Sequence, residues 1–437
     1  MPLPKVVIVG AGFGGLSCAR ALARKPAEVL LLDRHNYHLF TPLLYQVASS
    51  LLNPSDIAYP IRAVFRKAGN VRVRVGEVVS ADLDSHWIAV NGGDGGAMQR
   101  LAFDYLVLAL GSNPNFFGNA AIASAAHGLQ NLPEALELRN HVLRCFEAAA
   151  RETDEEARRP WLTFAIVGGG PTGVEYAGAL IELIRLVLVK DYPELNLRKV
   201  HIVLIEARDQ ILPAFPKVLG DDAELRLRQR GIDVRLNTRV ESTGDDVITL
   251  SGGHRLRCRT LVWAAGVKPN ELVAHLRLPL TRSGRVEVDA HLRVAGFERV
   301  FAIGDIAAVP YRGAEMPQLS PPAMQEGRCV ARNILRAVRG EPLEAFRYFD
   351  KGTMATIGRH DAVAVLGPLK LKGLIGWLTW LFVHLMYIVG FRNRLVVLME
   401  WAWDYFRYDR PIRLIERAKE HATVMTGRSH QGALRVE

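Results

Sequence analysis

The chain has 437 residues, 49% of them hydrophobic and 23% charged, with a formal net charge of +10. That length exceeds one ordinary core and implies two or three domains, and the composition excludes a disordered chain. The basic balance does not indicate nucleic acid: residues 370–437 carry eleven Lys or Arg against six Asp or Glu, half of the excess, beside the most apolar stretch of the sequence. No basic run interleaved with aromatics precedes this tail, so its charge points to an anionic membrane surface. The four cysteines (Cys18, Cys145, Cys258, Cys329) show neither C-x-x-C nor zinc-ligand spacing. A disulfide framework, a redox dithiol and a metal site are therefore not expected, and a reducing compartment is the default. A first strand from Lys5 to Val9 leaves no room for a signal or transit peptide.

In chain order, the first unit is an apolar strand, a glycine-rich turn and a helix reaching Arg24. A strand from Val29 to Leu32 follows and ends in Asp33. Alternating segments at 71–75, 77–83 and 86–90 read as an antiparallel meander beside the parallel sheet. A strand from Tyr105 to Leu110 runs into Gly111. The polar stretch from Ala149 to Pro160 reads as a connection. A second unit then repeats the first: VVIVGAGFGG (Val6 to Gly15) and FAIVGGGPTG (Phe164 to Gly173) have their first glycines 158 residues apart. Its helix covers 172–189, an insertion runs to Arg198, and a strand from Val200 to Ile205 ends in Glu206. Short strands continue to Leu261–Ala264 and Gly266. VFAIGD after Arg299 returns to the style of the first unit, and a helix is expected from about Pro322 to Val338.

The glycines carry the chemistry. In Gly10, Gly12 and Gly15 the first makes the strand-to-helix turn, the second lets backbone approach a pyrophosphate, and the third lets helix and strand pack closely. Gly14 lies in the same loop. The helix N-terminus supplies free N–H groups and positive potential. Asp33, 18 residues past Gly15 at a strand end, can accept from ribose hydroxyls. Gly168, Gly170 and Gly173 repeat the pattern with Glu206, which disfavours a 2′-phosphate and so favours NADH over NADPH. Two dinucleotide sites in one chain imply an electron relay between a tightly held flavin, FAD at the N-terminal site, and a nicotinamide that exchanges. Gly304 and Asp305 at the end of AIGD suit the ribityl chain, and the following helix aims its N-terminus at the flavin pyrimidine edge. The fold class is α/β: two Rossmann-like domains of the glutathione-reductase type plus a C-terminal membrane-anchoring helical region.

Beyond these, GAGFGGL (Gly10 to Leu16), HLFTPLLYQVA (His38 to Ala48, with Pro42), GGGPTGVEYAG (Gly168 to Gly178), FAIGD (Phe301 to Asp305), KGTMATIGR (Lys351 to Arg359) and HLMYIVGFRNR (His384 to Arg394) resemble the type II NADH dehydrogenases, single-subunit NADH:quinone oxidoreductases that pump no protons. The glycine motifs belong to a whole superfamily; HLFTPLLYQVA and the GFRNR tail are more specific. The resemblance implies a membrane-bound homodimer with FAD, on the cytoplasmic face of a bacterial cell membrane. It matches Glu175 to a glutamate beside flavin and nicotinamide with a part in proton handling; the bland reading is a carboxylate stabilising a first helical turn. It matches Gln325 to the second glutamine of a quinone-site motif, whereas the first is replaced by Pro321, which weakens the assignment of the acceptor. Lys351 matches a lysine at the quinone end of the flavin, where it stabilises a reduced quinone anion or makes a surface ion pair. The candidate cofactor-binding set is therefore Gly10, Gly12, Gly14, Gly15, Asp33, Pro42, Gly111, Gly168, Gly170, Gly173, Glu206, Gly266, Gly304, Asp305 and Gln325, with Glu175, Gln325 and Lys351 as catalytic candidates.

The expected domains are 1–113 with 291–350 for FAD, 114–290 for NADH, and 351–437 for membrane association. Gly373 to Phe391 holds no Asp, Glu, Lys or Arg. Its nineteen residues would reach ~28 Å as one helix, just enough to span a bilayer. Three readings stay open for it: an interfacial helix, a span and a buried core helix. Arg392, Arg394 and the aromatics Trp401, Trp403, Tyr405, Phe406 and Tyr408 suit a headgroup region. The rival function is a soluble NADH-dependent reductase of a ferredoxin or rubredoxin.

Overall fold

The computed structural model describes residues 2–92, 97–407, 410 and 412–416. Tyr408 lies outside them. Two parallel sheets organise the chain. The first has the order Val300–Ala302, Tyr105–Leu108, Lys5–Val9, Glu28–Asp33, Val71–Val75, and every pairing in it is parallel. The second has the order Asp233–Arg235, His201–Ile205, Thr163–Val167, Thr260–Trp263, again all parallel. Both central strands, VVIV after Lys5 and TFAIV, are buried along their length, as strands covered on both faces by helices must be.

The segment VRVRV departs from the expected meander. It pairs in parallel with Glu28–Asp33 and forms the edge of the first sheet, its valines Val71 and Val73 buried and Arg72 exposed. The meander instead comprises Glu77–Asp82, Trp87–Asn91 and Gln99–Ala102. Alternation alone does not distinguish an edge strand of a parallel sheet from a meander strand, because both have one wet face. The stretch 149–160 is buried only at its ends, Ala149 on helix Leu132–Arg151 and Pro160, with the residues between them partly or fully exposed. The chain crosses between the sheets through an antiparallel ribbon, Ser112–Pro114 with Val267–Pro269. The long second helix is α-helical over Pro171–Glu182 and widens to π geometry over Leu183–Leu188.

The C-terminal region is a three-stranded antiparallel sheet (Thr353–Gly358, Asp361–Leu366, Leu369–Lys372) followed by helices Gly373–Tyr387 and Phe391–Arg407. The uncharged stretch is thus broken at Ile388–Gly390, and among the described residues no helix is long and apolar enough to cross a membrane. The spanning reading is thereby corrected. Gly390, at φ +92° with the Tyr59 ring where a Cβ would lie, makes the break. Trp380, Ile388 and Val397 are buried in the same core as the second sheet and helices Leu132–Arg151 and Pro171–Glu182. The opposite faces stay wet. Ile375, Leu378, Phe382 and Met386 form an exposed stripe on the first helix, and Phe391, Leu395, Leu398 and Phe406 on the second. The core reading therefore holds for one face, and the other face is apolar and exposed.

Candidate functional site

The two glycine loops have matching geometry. Gly10 (φ +101°) and Gly168 (φ +112°) stand where a Cβ would lie 2.2 Å from the Ala109 carbonyl oxygen and 2.4 Å from that of Ala264. Gly15 and Gly173 allow the helix to press on its own loop, since a Cβ there would meet the Gly10 and Gly168 oxygens. Gly12 and Gly170 face open space, with nothing within 4 Å of a built Cβ. That space lies before the free N–H groups of helices Phe13–Leu22 and Pro171–Glu182, where a pyrophosphate fits.

The acidic partners also correspond. Asp33 accepts from Ala11 N–H and His35 N–H at 2.7 Å each. Glu206 accepts from Gly169 N–H at 2.6 Å and Arg208 N–H at 2.9 Å. Each carboxylate is thereby fixed at the loop, with lone pairs left for ribose hydroxyls. A cavity of about 550 Å³ opens beside Gly10 and Asp33, lined further by Leu110, Asn113 and His275. The ribbon joins the carboxyl ends of strands Tyr105–Leu108 and Thr260–Trp263: Asn270 N–H donates to the Gly111 carbonyl at 3.1 Å, and Gly266 (φ +132°) accepts from Asn115 N–H at 3.1 Å. Ligands of open parallel sheets bind at these ends.

Helix Ser320–Val338 completes the first site. Gly14 is wedged between Ile303 and the Ala323 carbonyl, and Gly304 lies against Ala323. Asp305 accepts from the Ser112 hydroxyl at 2.6 Å, and burial raises its carboxyl above the usual range, with the Ser112 bond opposing. Glu326, absent from the sequence reading, is 1% exposed and accepts the Gly304 N–H at 2.5 Å. Burial pushes it up to about 7 against that bond. Helical phase was the available signal, because Ala323, Glu326, Gly327, Val330 and Ile334 share the buried face. Pro42 lies in the short turn Thr41–Leu43, before the buried helix Leu44–Ala48.

The three catalytic candidates are not brought into mutual contact. The Gln325 amide is committed on both sides: it donates to the Phe349 carbonyl and accepts the Phe349 N–H, each at 3.0 Å. It thereby fixes the extended segment that leads to Lys351. Lys351 is exposed, forms no ion pair among the described residues, and donates to the Tyr387 hydroxyl at 2.9 Å. Glu175 does more than stabilise a helical turn. Its Oε1 accepts from Thr356 N–H and from the Trp380 indole N–H, both at 3.2 Å, linking the second glycine-loop helix to the C-terminal sheet and first amphipathic helix. Burial raises it to about 8, opposed by those two donors, so it holds a proton at neutral pH. It lines an apolar cavity of about 470 Å³ with Gln46, Thr356, Trp380 and Trp401, which extends to Phe382 and Phe406 between the two amphipathic helices. Trp380 and Thr356 were not anticipated from the sequence; nothing in their spacing distinguishes them from ordinary core residues.

Two glycine loops on twin parallel sheets, with a third segment closing the first, define a two-dinucleotide oxidoreductase. Residues 4–327 match the pyridine nucleotide-disulphide oxidoreductase family, and residues 351–407 match the NDH2 C-terminal domain. The type II NADH:quinone oxidoreductase Ndh of Mycobacterium tuberculosis is 38% identical over 91% of this chain and 87% of its own length. The Staphylococcus aureus type II NADH:quinone oxidoreductase is 32% identical over 84% of this chain and 91% of its own. The structure of NDH2 from Plasmodium falciparum in complex with NADH has the same fold, with a TM-score of 0.87 over 94% of this chain and 99% of that one at 21% identity. The chain belongs to the type II NADH:quinone oxidoreductase family.

Proposed function

We propose that the chain is a non-electrogenic NADH:quinone reductase that holds FAD at Gly10–Gly15, takes NADH at Gly168–Gly173 and delivers electrons to a quinone at a membrane surface. The observation that carries this reading is the ribbon at 112–114 and 267–269, which brings the ligand-binding ends of two dinucleotide sheets together. Its domains run as the sequence divides them, 1–113 with 291–350, 114–290, and 351–437.

When bound, FAD would supply the redox chemistry between NADH hydride and the two-electron reduction of a quinone. The chain supplies position and charge. Gly10, Gly12, Gly14 and Gly15 cradle the FAD pyrophosphate, Asp33 its ribose and Asp305 its ribityl chain, with Pro42, Gly111 and Gly304 shaping the wall. The N-terminus of helix Ser320–Val338 sets positive potential at the pyrimidine edge. Gly168, Gly170, Gly173, Glu206 and Gly266 do the same for NADH. Glu175 keeps a proton at its carboxyl for delivery to the acceptor side. Gln325 belongs to the cofactor wall and holds the Lys351 segment, and Lys351 offers its ammonium to a reduced quinone anion. The exposed stripes of the two C-terminal helices lie on anionic lipid at the cytoplasmic face, and the protein works as a homodimer. These stripes favour this reading over a soluble reductase of a protein acceptor.

Detergent-purified protein tests the whole. It should be yellow, release FAD on denaturation, oxidise NADH with ferricyanide and with menaquinone or ubiquinone, and elute as a dimer in light scattering. Turnover with ferredoxin but with neither quinone would replace it with the rival reading.

A further inference from the structure

The turn that carries Asp305 is closed by Ala307 N–H donating to the Gly304 carbonyl, and it is also held from outside. Gly304 sits at φ +71°, and its N–H points inward, where the Glu326 Oε2 accepts it at 2.5 Å. Glu326 lies one residue after Gln325 on helix Ser320–Val338. The two neighbours thus pin different segments, Gln325 the strap at Phe349 and Glu326 the turn at Gly304. The Asp305 carboxylate is directed by a further bond from Ser112 at 2.6 Å, and its carbonyl accepts from Gln318 at 3.1 Å. The Asp305 and Glu326 carboxyl groups would repel if both ionised, and neither has an ion-pair partner among the described residues.

We infer that Glu326 is a positioning residue of the flavin site: its side chain fixes the Gly304–Asp305 turn toward the ribityl chain and places a second, switchable negative charge behind it. The inference rests on FAD occupying the first site. Its clamp and its charge have separable consequences. The clamp requires only an acceptor oxygen, so Glu326→Gln preserves it and Glu326→Ala removes it. The charge is present only when Glu326 is ionised, which burial defers to about pH 7. The groups that face it are Asp305 and Arg285, with Cys329 on its own helix. The reduced cofactor is more negative than the oxidised one. An ionised Glu326 therefore disfavours reduction, and a protonated one does not.

The test uses full-length holoprotein and two readouts other than turnover. The first is the FAD dissociation constant: Glu326→Ala should weaken it tenfold or more at every pH, with Glu326→Gln staying within about threefold of the unmodified protein. The second is the flavin midpoint potential as a function of pH. Glu326→Gln should lie positive of the unmodified protein at pH 8.5, and the gap should close at pH 5.5, where both side chains are neutral. Parallel potential curves would remove the charge role, and unchanged FAD affinity in Glu326→Ala would remove the clamp. If Glu326→Ala fails to fold, the potential curves of Glu326→Gln still decide the charge role, and Glu326→Met, close in size but without the acceptor oxygen, takes the place of Glu326→Ala in the affinity test of the clamp. An unmodified protein that binds no FAD overturns the assignment of the first site instead.

Discussion

The two glycine loops are nearly the same object: the same turn angles at Gly10 and Gly168, the same close approach at Gly15 and Gly173, and the same pinned carboxylate in Asp33 and Glu206. They differ in what stands behind them. The first is closed by a distant part of the chain, with Ile303 and Ala323 against Gly14 and Asp305 tied to Ser112. The helix of the second leans instead on the C-terminal sheet and Trp380, through Glu175. A loop enclosed by a third segment suits a cofactor that stays. The second loop is covered by the nearer segment at Ile211 and Leu212, whose Leu212 N–H donates to the Gly169 carbonyl at 2.7 Å, an arrangement that suits a co-substrate that leaves.

The sharpest way to break that comparison is to spoil each loop alone. Alanine at Gly10 or Gly168 places a Cβ within 2.4 Å of a carbonyl oxygen at a φ that L residues avoid. Gly10→Ala should lose bound flavin, by about 100-fold or more in affinity, since a backbone clash adds to an αL cost of about 1–3 kcal/mol. Gly168→Ala should keep the flavin spectrum and lose NADH-driven reduction of it, read by stopped flow. Loss of flavin in both variants would mean that the loops are not independent.

The next test concerns the exposed stripes. Deleting everything after Lys372 would remove the buried Trp380, Ile388 and Val397 from the core they fill and leave the Glu175 carboxyl without its indole donor, so point changes separate membrane binding from folding. Ile375 and Phe391 are 65% and 82% exposed, one on each helix. Changing each to Ser should weaken liposome binding by about tenfold or more, given ~1.5–3 kcal/mol per large side chain buried in lipid. NADH-to-ferricyanide activity should not change. Full-rate reduction of bilayer quinone by the double variant would show that these faces do not meet the membrane.

A smaller effect is expected at Glu206. Its carboxylate is held at the loop by Gly169 N–H, where a 2′-phosphate would approach. Glu206→Gln should narrow the NADH over NADPH preference in kcat/KM by about tenfold, the loss of one like-charge repulsion of about 1.4 kcal/mol. Equal kcat/KM for the two cofactors in the unmodified protein would contradict the assignment.

Much of this was legible in the sequence wherever a local rule forces a residue type. A φ near +100° and a close helix approach demand glycine, so both loops and both carboxylates could be placed by spacing alone. The C-terminal break was not legible as a division of faces. Gly373 to Phe391 is apolar throughout, and only the packing of Trp380 and Ile388 against the second sheet tells the dry face from the wet one. Glu326 and Trp380 escaped for another reason. Their partners, Gly304 and Glu175, are 22 and 205 residues away, and a tertiary hydrogen bond leaves no period in the sequence. Gln325 was singled out by its match to a quinone-site motif, and both ends of its amide face a backbone strap that motif matching does not reveal.

Glu175 offers the smallest and most specific effect, one of stability against pH. Burial raises its carboxyl to about 8 from an ordinary value of 4.5, and the Thr356 and Trp380 donors only partly offset this. Tyr45, at the cavity wall, feels the same charge and is itself raised by burial first. Below about pH 4.5 the carboxyl is protonated in both the folded and the unfolded chain, and its contribution to stability is fully present. As the pH rises the unfolded chain ionises first, so this contribution falls from about pH 4.5 and is lost once the folded carboxyl ionises near 8. Glu175→Gln keeps an acceptor for both N–H donors and has no charge to bury. The variant should therefore melt closer to the unmodified protein at pH 5 and higher than it at pH 8.5, by about 2 °C or more in Tm. Trp380→Phe, which removes one donor to the ionised form, should leave the onset of the decline unchanged and extend its upper end to higher pH. A Tm difference between Glu175→Gln and the unmodified protein that is the same at pH 5 and pH 8.5 would show that Glu175 is ionised throughout, and it could not then hold the proton that the acceptor side needs.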